Sequence, residues 1–406
     1  MSRDQLLREI AAQHGTPFYA VFLDDVQARI DALRAAFAQR FEISYAVKSN
    51  PARELLRWLD GRCDALDVSS GGELQHALDA GWPAAALSFT GPGKTRTELE
   101  LALAKFTGDG PSTGEVVLES LEEAEQLAGL ARAAGKRVRV LVRLSPTRVP
   151  PGFGDTMAGK PTAFGIDEED LEASLRTIVG MRDALELVGF HAYSGTQCLK
   201  PAGIVENYRI FIELFSKAIA LTACRPEKLI FGSGLGIVYH DGQEPLDLAA
   251  IAREINPDLD ALRARLPDTT LSLETGRYLV GEAGVLVMRV LRTKDSRGTR
   301  IGICDAGINH HLAASGLFGM AIRRNYKMRN ISAEGPAAGS YQLSGPLCTS
   351  IDVLARGIAL SRLEAGDLIA IGTSGAYGAT ASLGRFISHP PVAEWLIDSG
   401  RVLSAN

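Results

Sequence analysis

The sequence predicts an α/β protein in which a (β/α)8 barrel of the TIM type is followed by a C-terminal β domain that an N-terminal strand joins. Three observations carry this expectation. Short apolar runs recur eight times between residues 41 and 274, with helix-like segments of alanine and mixed charge between them, the pattern of a closed parallel barrel. The chemically unusual residues fall at the carboxyl ends of those runs, the rim where such barrels do their chemistry. Beyond Glu274 the rhythm changes to long strand-like runs.

Residues 1–25 hold an amphipathic stretch, Gln5 to Gln13, and a strand, Pro17 to Phe22, expected to pair with the β domain. The barrel is expected over 26–277. Its strands are Phe41 to Val47, Ala65 to Ser69, Ala86 to Thr90, Glu115 to Glu119, Arg137 to Leu144, Leu185 to Ser194, Lys228 to Gly232 and Leu271 to Glu274. Helices include Pro51 to Leu59, Gly72 to Ala80, Ser120 to Ala134 and Leu248 to Ala264, the last interrupted by Pro257. The β domain, 278–406, opens with Val285 to Arg292 and Thr299 to Cys304, joined by a turn at Asp295-Ser296-Arg297-Gly298.

With 406 residues, 46% hydrophobic and 22% charged, the chain can bury a large core. Its net charge of −5 and lack of a long basic run argue against nucleic acid, and no apolar run reaches a membrane span. The charged start, Met1-Ser2-Arg3-Asp4, does not read as a signal peptide, so a cytoplasmic home is expected. Cys63, Cys198, Cys224, Cys304 and Cys348 show no paired close spacing, so any important cysteine is expected to act as a thiol.

Lys48, in Tyr45-Ala46-Val47-Lys48-Ser49-Asn50, follows the first strand. Apolar neighbours that desolvated it would make its amine a nucleophile toward a carbonyl; alone it reads first as a solvated strand end. Asp67, Glu119, Arg143, His191 and Glu274 sit late on, or just past, their strands. Phe231-Gly232-Ser233-Gly234-Leu235-Gly236 can wrap a phosphate with side-chain-free amides, or be a plain turn. It lacks the third glycine of a dinucleotide fingerprint. Gly91-Pro92-Gly93-Lys94-Thr95 imitates a P-loop but has Ser88 in place of the leading glycine, and reads as an ordinary loop. His191 is a core histidine or a flat ring able to stack on a cofactor, with Ser194 in reach of a phosphate. Glu274-Thr275-Gly276-Arg277 is a surface ion pair or an acid for a pyridine nitrogen beside a cation for a phosphate. Cys348 is a small buried hydrophobe or a loop thiol able to deliver a proton. Adjacent His310 and His311 point apart on a strand, and no metal site is expected.

Together Tyr45 to Lys48, Gly232 to Gly236, Glu274 to Arg277, Gly345-Pro346-Leu347-Cys348 and Ala376-Tyr377-Gly378 resemble, in order and over nearly the whole chain, the fold type III pyridoxal phosphate decarboxylases, the family of diaminopimelate and ornithine decarboxylases. The resemblance implies an alanine-racemase-like barrel with a β domain. It also implies a head-to-tail homodimer in which the cysteine loop of one subunit completes the other's site. On matching positions, Lys48 would anchor pyridoxal 5'-phosphate and His191 stack on its ring. Ser194, Gly234, Arg277 and Tyr377 would surround the phosphate, and Glu274 would face the pyridine nitrogen. Asp67 and Arg143 would support the cofactor, and Cys348 would donate a proton to the α carbon. Alanine racemases place an arginine where Glu274 stands, so the acid favours decarboxylation over racemisation.

The departures bear on substrate. The residue after the cysteine is Thr349, where the diaminopimelate enzymes carry glutamate and the ornithine enzymes aspartate; the stretch 305–318 lacks an expected arginine and has Phe318 for tyrosine. A buried ammonium without its carboxylate costs several kcal/mol, which disfavours diaminopimelate, ornithine and free lysine. Thr349, Phe318 and Ser315 are the expected substrate-side positions. Asn309 to Ala314 and Cys348-Thr349 are similar to the secondary-metabolite and polysaccharide-pathway branch, some of whose members act on an amino acid tethered to an acyl carrier protein. Arg323 and Arg324 read first as solvated surface charges, with a carrier phosphopantetheine as the alternative contact. Competing expectations are a diaminopimelate-type enzyme with a rebuilt pocket, an inactive partner-binding relative, and a racemase.

Overall fold

A computed structural model describes residues 1–106, 113–317, 323–333 and 335–404. The chain forms two compact units, one of Ile30–Gly236 and Leu246–Gly276, the other of Met1–Arg29, Ile237–Pro245 and Arg277–Asn406.

The first unit is a closed barrel of eight parallel strands, Glu42–Ala46, Ala65–Val68, Leu87–Phe89, Glu115–Leu118, Val138–Ser145, Leu185–Ala192, Lys228–Gly232 and Thr270–Thr275. Each pairs with its neighbours in sequence, and the eighth returns to the first through Ser272↔Glu42 to Thr275↔Tyr45. The register sets the site: Asp67 lies opposite Ala46, Arg143 opposite His191, and Glu274 opposite Gly232. Val117, Leu141, Val188 and Ile230 fill the interior. At the amino ends of the strands Lys228 donates to both oxygens of Glu115 (3.0 and 3.1 Å), a buried charge paired as burial demands.

Two Ser-x-x-Glu caps fix the chain just after strands two and four. Ser70 and Ser120 accept the amides of Glu73 and Glu123, whose carboxylates reach back to the amides of Ser69 and Glu119 (2.8 and 3.0 Å). The expected interruption at Pro257 is not found. Helix Leu248–Arg265 runs through it, with Arg209 donating to the Glu254 carbonyl in the turn that proline strains.

In the second unit helix Arg3–His14 packs Leu6, Leu7 and Ile10 onto strand Phe18–Phe22, sharing a core with Val285, Val287, Leu368 and Ile397. That N-terminal strand lies antiparallel to Gly284–Ser296 and parallel to Ala393–Asp398. Strand Gly284–Ser296 turns back into Thr299–Cys304 through Arg297 (φ 49°) and Gly298 (φ 81°), the two left-handed residues of a tight hairpin turn.

Candidate active site

The sequence leaves strand one through a single turn, Val47–Ser49, pinned by Ser49 donating to the Ala46 carbonyl (2.8 Å) and Tyr45 to that of Asn50 (2.9 Å). Gly276 permits this approach, since a Cβ there would lie 2.7 Å from Ser49 Oγ. Lys48 is not desolvated as its apolar neighbours suggest, because the turn carries it off the strand. Its side chain is 41% exposed and its Nζ faces two acids, 3.4 Å from Glu274 Oε1 and 3.8 Å from Asp67 Oδ2.

Those acids are buried and titrate apart. Burial, with the Glu274 charge adding to it, pushes the Asp67 carboxyl well above its ordinary range. Burial acts on Glu274 in the same sense, but Lys48, the His191 hydrogen bond and Arg143 outweigh it and hold Glu274 below the usual carboxylate range. Thr90 donates to Asp67 Oδ1 (2.6 Å). His191 Nε2 lies 2.8 Å from Glu274 Oε2, and burial keeps its imidazole below the ordinary histidine range despite that partner. The two carboxyl groups are thus pushed in opposite directions, a mark of acid–base sites.

Arg143 and Glu119 form a fully buried pair (3.0 Å). Glu119 also accepts the amides of Gly91 (2.9 Å) and Gly165 (2.8 Å), tying three strand ends together. Burial raises and Arg143 lowers the Glu119 carboxyl, the net direction being down. The Arg143 guanidinium stacks 4.6 Å from the Phe164 ring. Lys94 folds into the barrel wall, donating to the carbonyls of Gly91 (2.6 Å) and Val117 (2.9 Å) and pairing with Glu123 (2.8 Å); these partners make Gly91 to Thr95 a structural loop.

The glycine loop follows strand seven. Gly234 is left-handed (φ 64°), and a Cβ there would meet Phe153 Cε1 at 2.6 Å. Its carbonyl accepts Cys198 N, while Ser233 N donates to the Glu274 carbonyl (2.9 Å). Among the described residues of this unit, Ser194 Oγ, His191 Nδ1, Asp67 Oδ2 and Thr275 Oγ1 are buried without a hydrogen bond.

The other expected residues belong to the second unit. Arg277 donates to the Tyr239 hydroxyl (2.6 Å) and lies 4.7 Å over the ring of Tyr377, itself left-handed (φ 55°). Cys348 is exposed, unlike the other four cysteines. Its loop is held by Asp352, whose carboxylate accepts the amides of Leu347 and Ile308 (both 2.7 Å). A Cβ at Gly307 or Gly345 would collide with that carboxylate (2.1 and 2.3 Å). Thr349 is half-buried beside Cys348. Ser315 is buried with its hydroxyl on the Leu312 carbonyl (2.7 Å); Phe318 lies outside the described residues. His311 bonds Ser374 Oγ (3.0 Å) and accepts Ala314 N (3.2 Å), while the ring of His310 faces His389 at 6.4 Å.

Thr90, Tyr239 and Asp352 are not among the site residues expected from the sequence. Tyr239 and Asp352 carry a positional signal, three residues past the glycine loop and four past Cys348; Thr90 carries none, because its role appears only when strands two and three pair.

A family model described as pyridoxal-dependent decarboxylase, pyridoxal binding domain, matches residues 23–281. The chain is 32% identical over 98% of its length to the L-glutamyl-[BtrI acyl-carrier protein] decarboxylase of Niallia circulans, covering 93% of that protein. It is 33% identical to a diaminopimelate decarboxylase of Zymomonas mobilis, covering 97% of this chain and 90% of that one. Diaminopimelate decarboxylase from Helicobacter pylori complexed with L-lysine superposes with a TM-score of 0.84 at 27% identity, over 98% of this chain and 96% of that one. SrLDC in complex with PLP and cadaverine does so with a TM-score of 0.80 at 25% identity, over 98% and 94%.

Proposed function

The chain belongs to the pyridoxal-dependent decarboxylases, and on that premise we propose that it removes the α-carboxylate of an amino acid tethered to an acyl carrier protein. The observation that carries this reading is Thr349 beside the exposed Cys348, with no acid at all from 306 to 333. A free diamino acid needs a carboxylate for its distal ammonium, whereas an amino acid whose distal carboxyl is held as a thioester brings no second charge. The resemblance to a carrier-dependent glutamyl decarboxylase points the same way.

The residues present fit the cofactor of the family. The buried hydroxyl of Ser194, without a protein partner, and the Gly234 turn with room only for hydrogen suit a phosphate. Arg277, Tyr377 and the glycine loop would hold that phosphate, His191 would face the ring, and Asp67 and Arg143 would support the site. Bound there, pyridoxal phosphate supplies a carbonyl for the substrate amine and a ring that accepts the electrons released with carbon dioxide. Lys48 is the covalent anchor, and its Nζ keeps two carboxylates within 4 Å to manage its proton. Glu274, held low by its neighbours and with Oε2 engaged by His191, would offer its charge to the ring nitrogen of the cofactor. That charge state favours decarboxylation over racemisation. Sγ of Cys348 donates the proton that the α carbon gains.

Cys348 reaches that carbon from a second copy of the chain in a homodimer. Five of the large apolar side chains left exposed, Leu317, Ile351, Leu383, Phe386 and Ile387, lie on loops bound to one another around the Cys348 segment, the kind of patch that a subunit covers. The free thiols suit a reducing cytoplasm.

The deciding experiment is carbon dioxide release by purified, cofactor-loaded protein from free amino acids and from a glutamyl-loaded acyl carrier protein. Release from the carrier form alone is expected. Release from free diaminopimelate would restore the diaminopimelate reading, which the Zymomonas relative represents.

A further inference from the structure

Between Asp305 and Glu334 the chain carries no acid, yet Arg323, Arg324, Lys327 and Arg329 crowd into it. Extended to residue 351, the segment sets those four cations against the single acid Glu334, a net of +3 in a chain whose total is −5. Folding neutralises part of this excess: Arg329 pairs with Asp4 (2.5 Å) and Lys327 with Asp241 (3.7 Å). Arg323, Arg324 and Arg356 stay exposed, and among the described residues none of them forms an ion pair.

The fold gathers these charges. Asn325 clasps the backbone of Arg356, donating to its carbonyl (2.8 Å) and accepting its amide (3.1 Å). Arg323 donates to the Val353 carbonyl, and a Cβ at Gly316 would strike its side chain at 2.7 Å. Exposed like charges without a carboxylate partner offer a surface suited to an anion. Its position is informative. Val353 directly follows Asp352, the acid that holds the Cys348 loop, so the patch borders the loop that carries the thiol.

We propose that Arg323, Arg324 and Arg356 are the landing surface for an acyl carrier protein, meeting its acidic surface and the phosphodiester at the root of the arm that bears the thioester. Guanidinium pairs phosphate oxygens in two-point contacts that lysine does not make. The inference rests on the carrier-tethered reading above. It adds where the carrier docks, next to the loop whose cysteine the tethered amino acid must reach.

The test compares two substrates on the holoenzyme: a glutamyl-loaded acyl carrier protein, and the glutamyl thioester of N-acetylcysteamine, which lacks both carrier and phosphate. Arg324→Glu with Arg356→Glu is expected to raise KM for the carrier form about tenfold or more and to flatten its salt dependence. The small thioester is expected to stay within about twofold of wild type. Arg324→Glu alone, at an exposed side chain with no hydrogen bond or ion pair among the described residues, guards against a folding defect and is expected to move KM in the same direction. Equal losses on both substrates, as a broken dimer would give, overturn the surface, and so does an unchanged KM for the carrier form. A wild-type enzyme that releases carbon dioxide from the small thioester but never from the carrier overturns the carrier reading itself, and the surface with it.

Discussion

At the scale of single residues the proposed chemistry rests on Glu274, which meets Lys48 with one oxygen and His191 with the other. Glu274→Gln keeps the shape and removes the charge; carbon dioxide release should fall by about 10²- to 10³-fold with folding intact. Lys48→Ala should abolish turnover, while Cys348→Ala should slow protonation or divert the product; wild-type rates in both would sink the mechanism. Lys48, His191 and Glu274 were legible because each ends a recognisable strand. Their protonation was not. Asp67 and Glu274 diverge because burial and the Glu274 charge raise the one while Lys48 and His191 hold down the other, and such partners are fixed by register across strands, not by spacing along one.

At the scale of elements the decisive pieces are the turns between regular segments. Gly234→Ala would force a Cβ into Phe153 at a left-handed backbone. Weaker retention of cofactor is expected, read as slower reconstitution of the apoprotein by absorbance. Asp352→Asn removes a charge that two amides share; a loss of about 1–3 kcal/mol is expected in chemical denaturation, with Cys348 alkylated faster as its loop loosens. All eight barrel strands could be read from apolar runs, since burial on both faces leaves little room for other sequences. The continuous helix through Pro257 could not, because Arg209, which holds Glu254 and Asp258 on either side of the proline, comes from another helix.

At the scale of the molecule the same substitutions report on assembly. If sites are shared between subunits, mixing inactive Lys48→Ala dimers with impaired Cys348→Ala dimers should return roughly a quarter of the sites to wild type by random exchange, and no gain over the unmixed dimers would refute sharing. Stability should also depend on pH. Burial holds His311 down to about 3, so the folded chain stays neutral there while the unfolded chain takes up a proton below about 6.5. The contribution is therefore complete above that value and lost as pH falls, about 2 kcal/mol between pH 7 and 5. Melting of wild type and His311→Asn at both pH values checks it, the variant being expected to lose less. A last consequence follows from the pairing of the eighth strand with the first. Lys48 and Glu274 are 226 residues apart in sequence and meet only at that seam. Contacts of such span form late, so during refolding helical signal should return before the anchoring lysine finds its counter-ion, and cofactor absorbance should act as a clock for the closing of the ring.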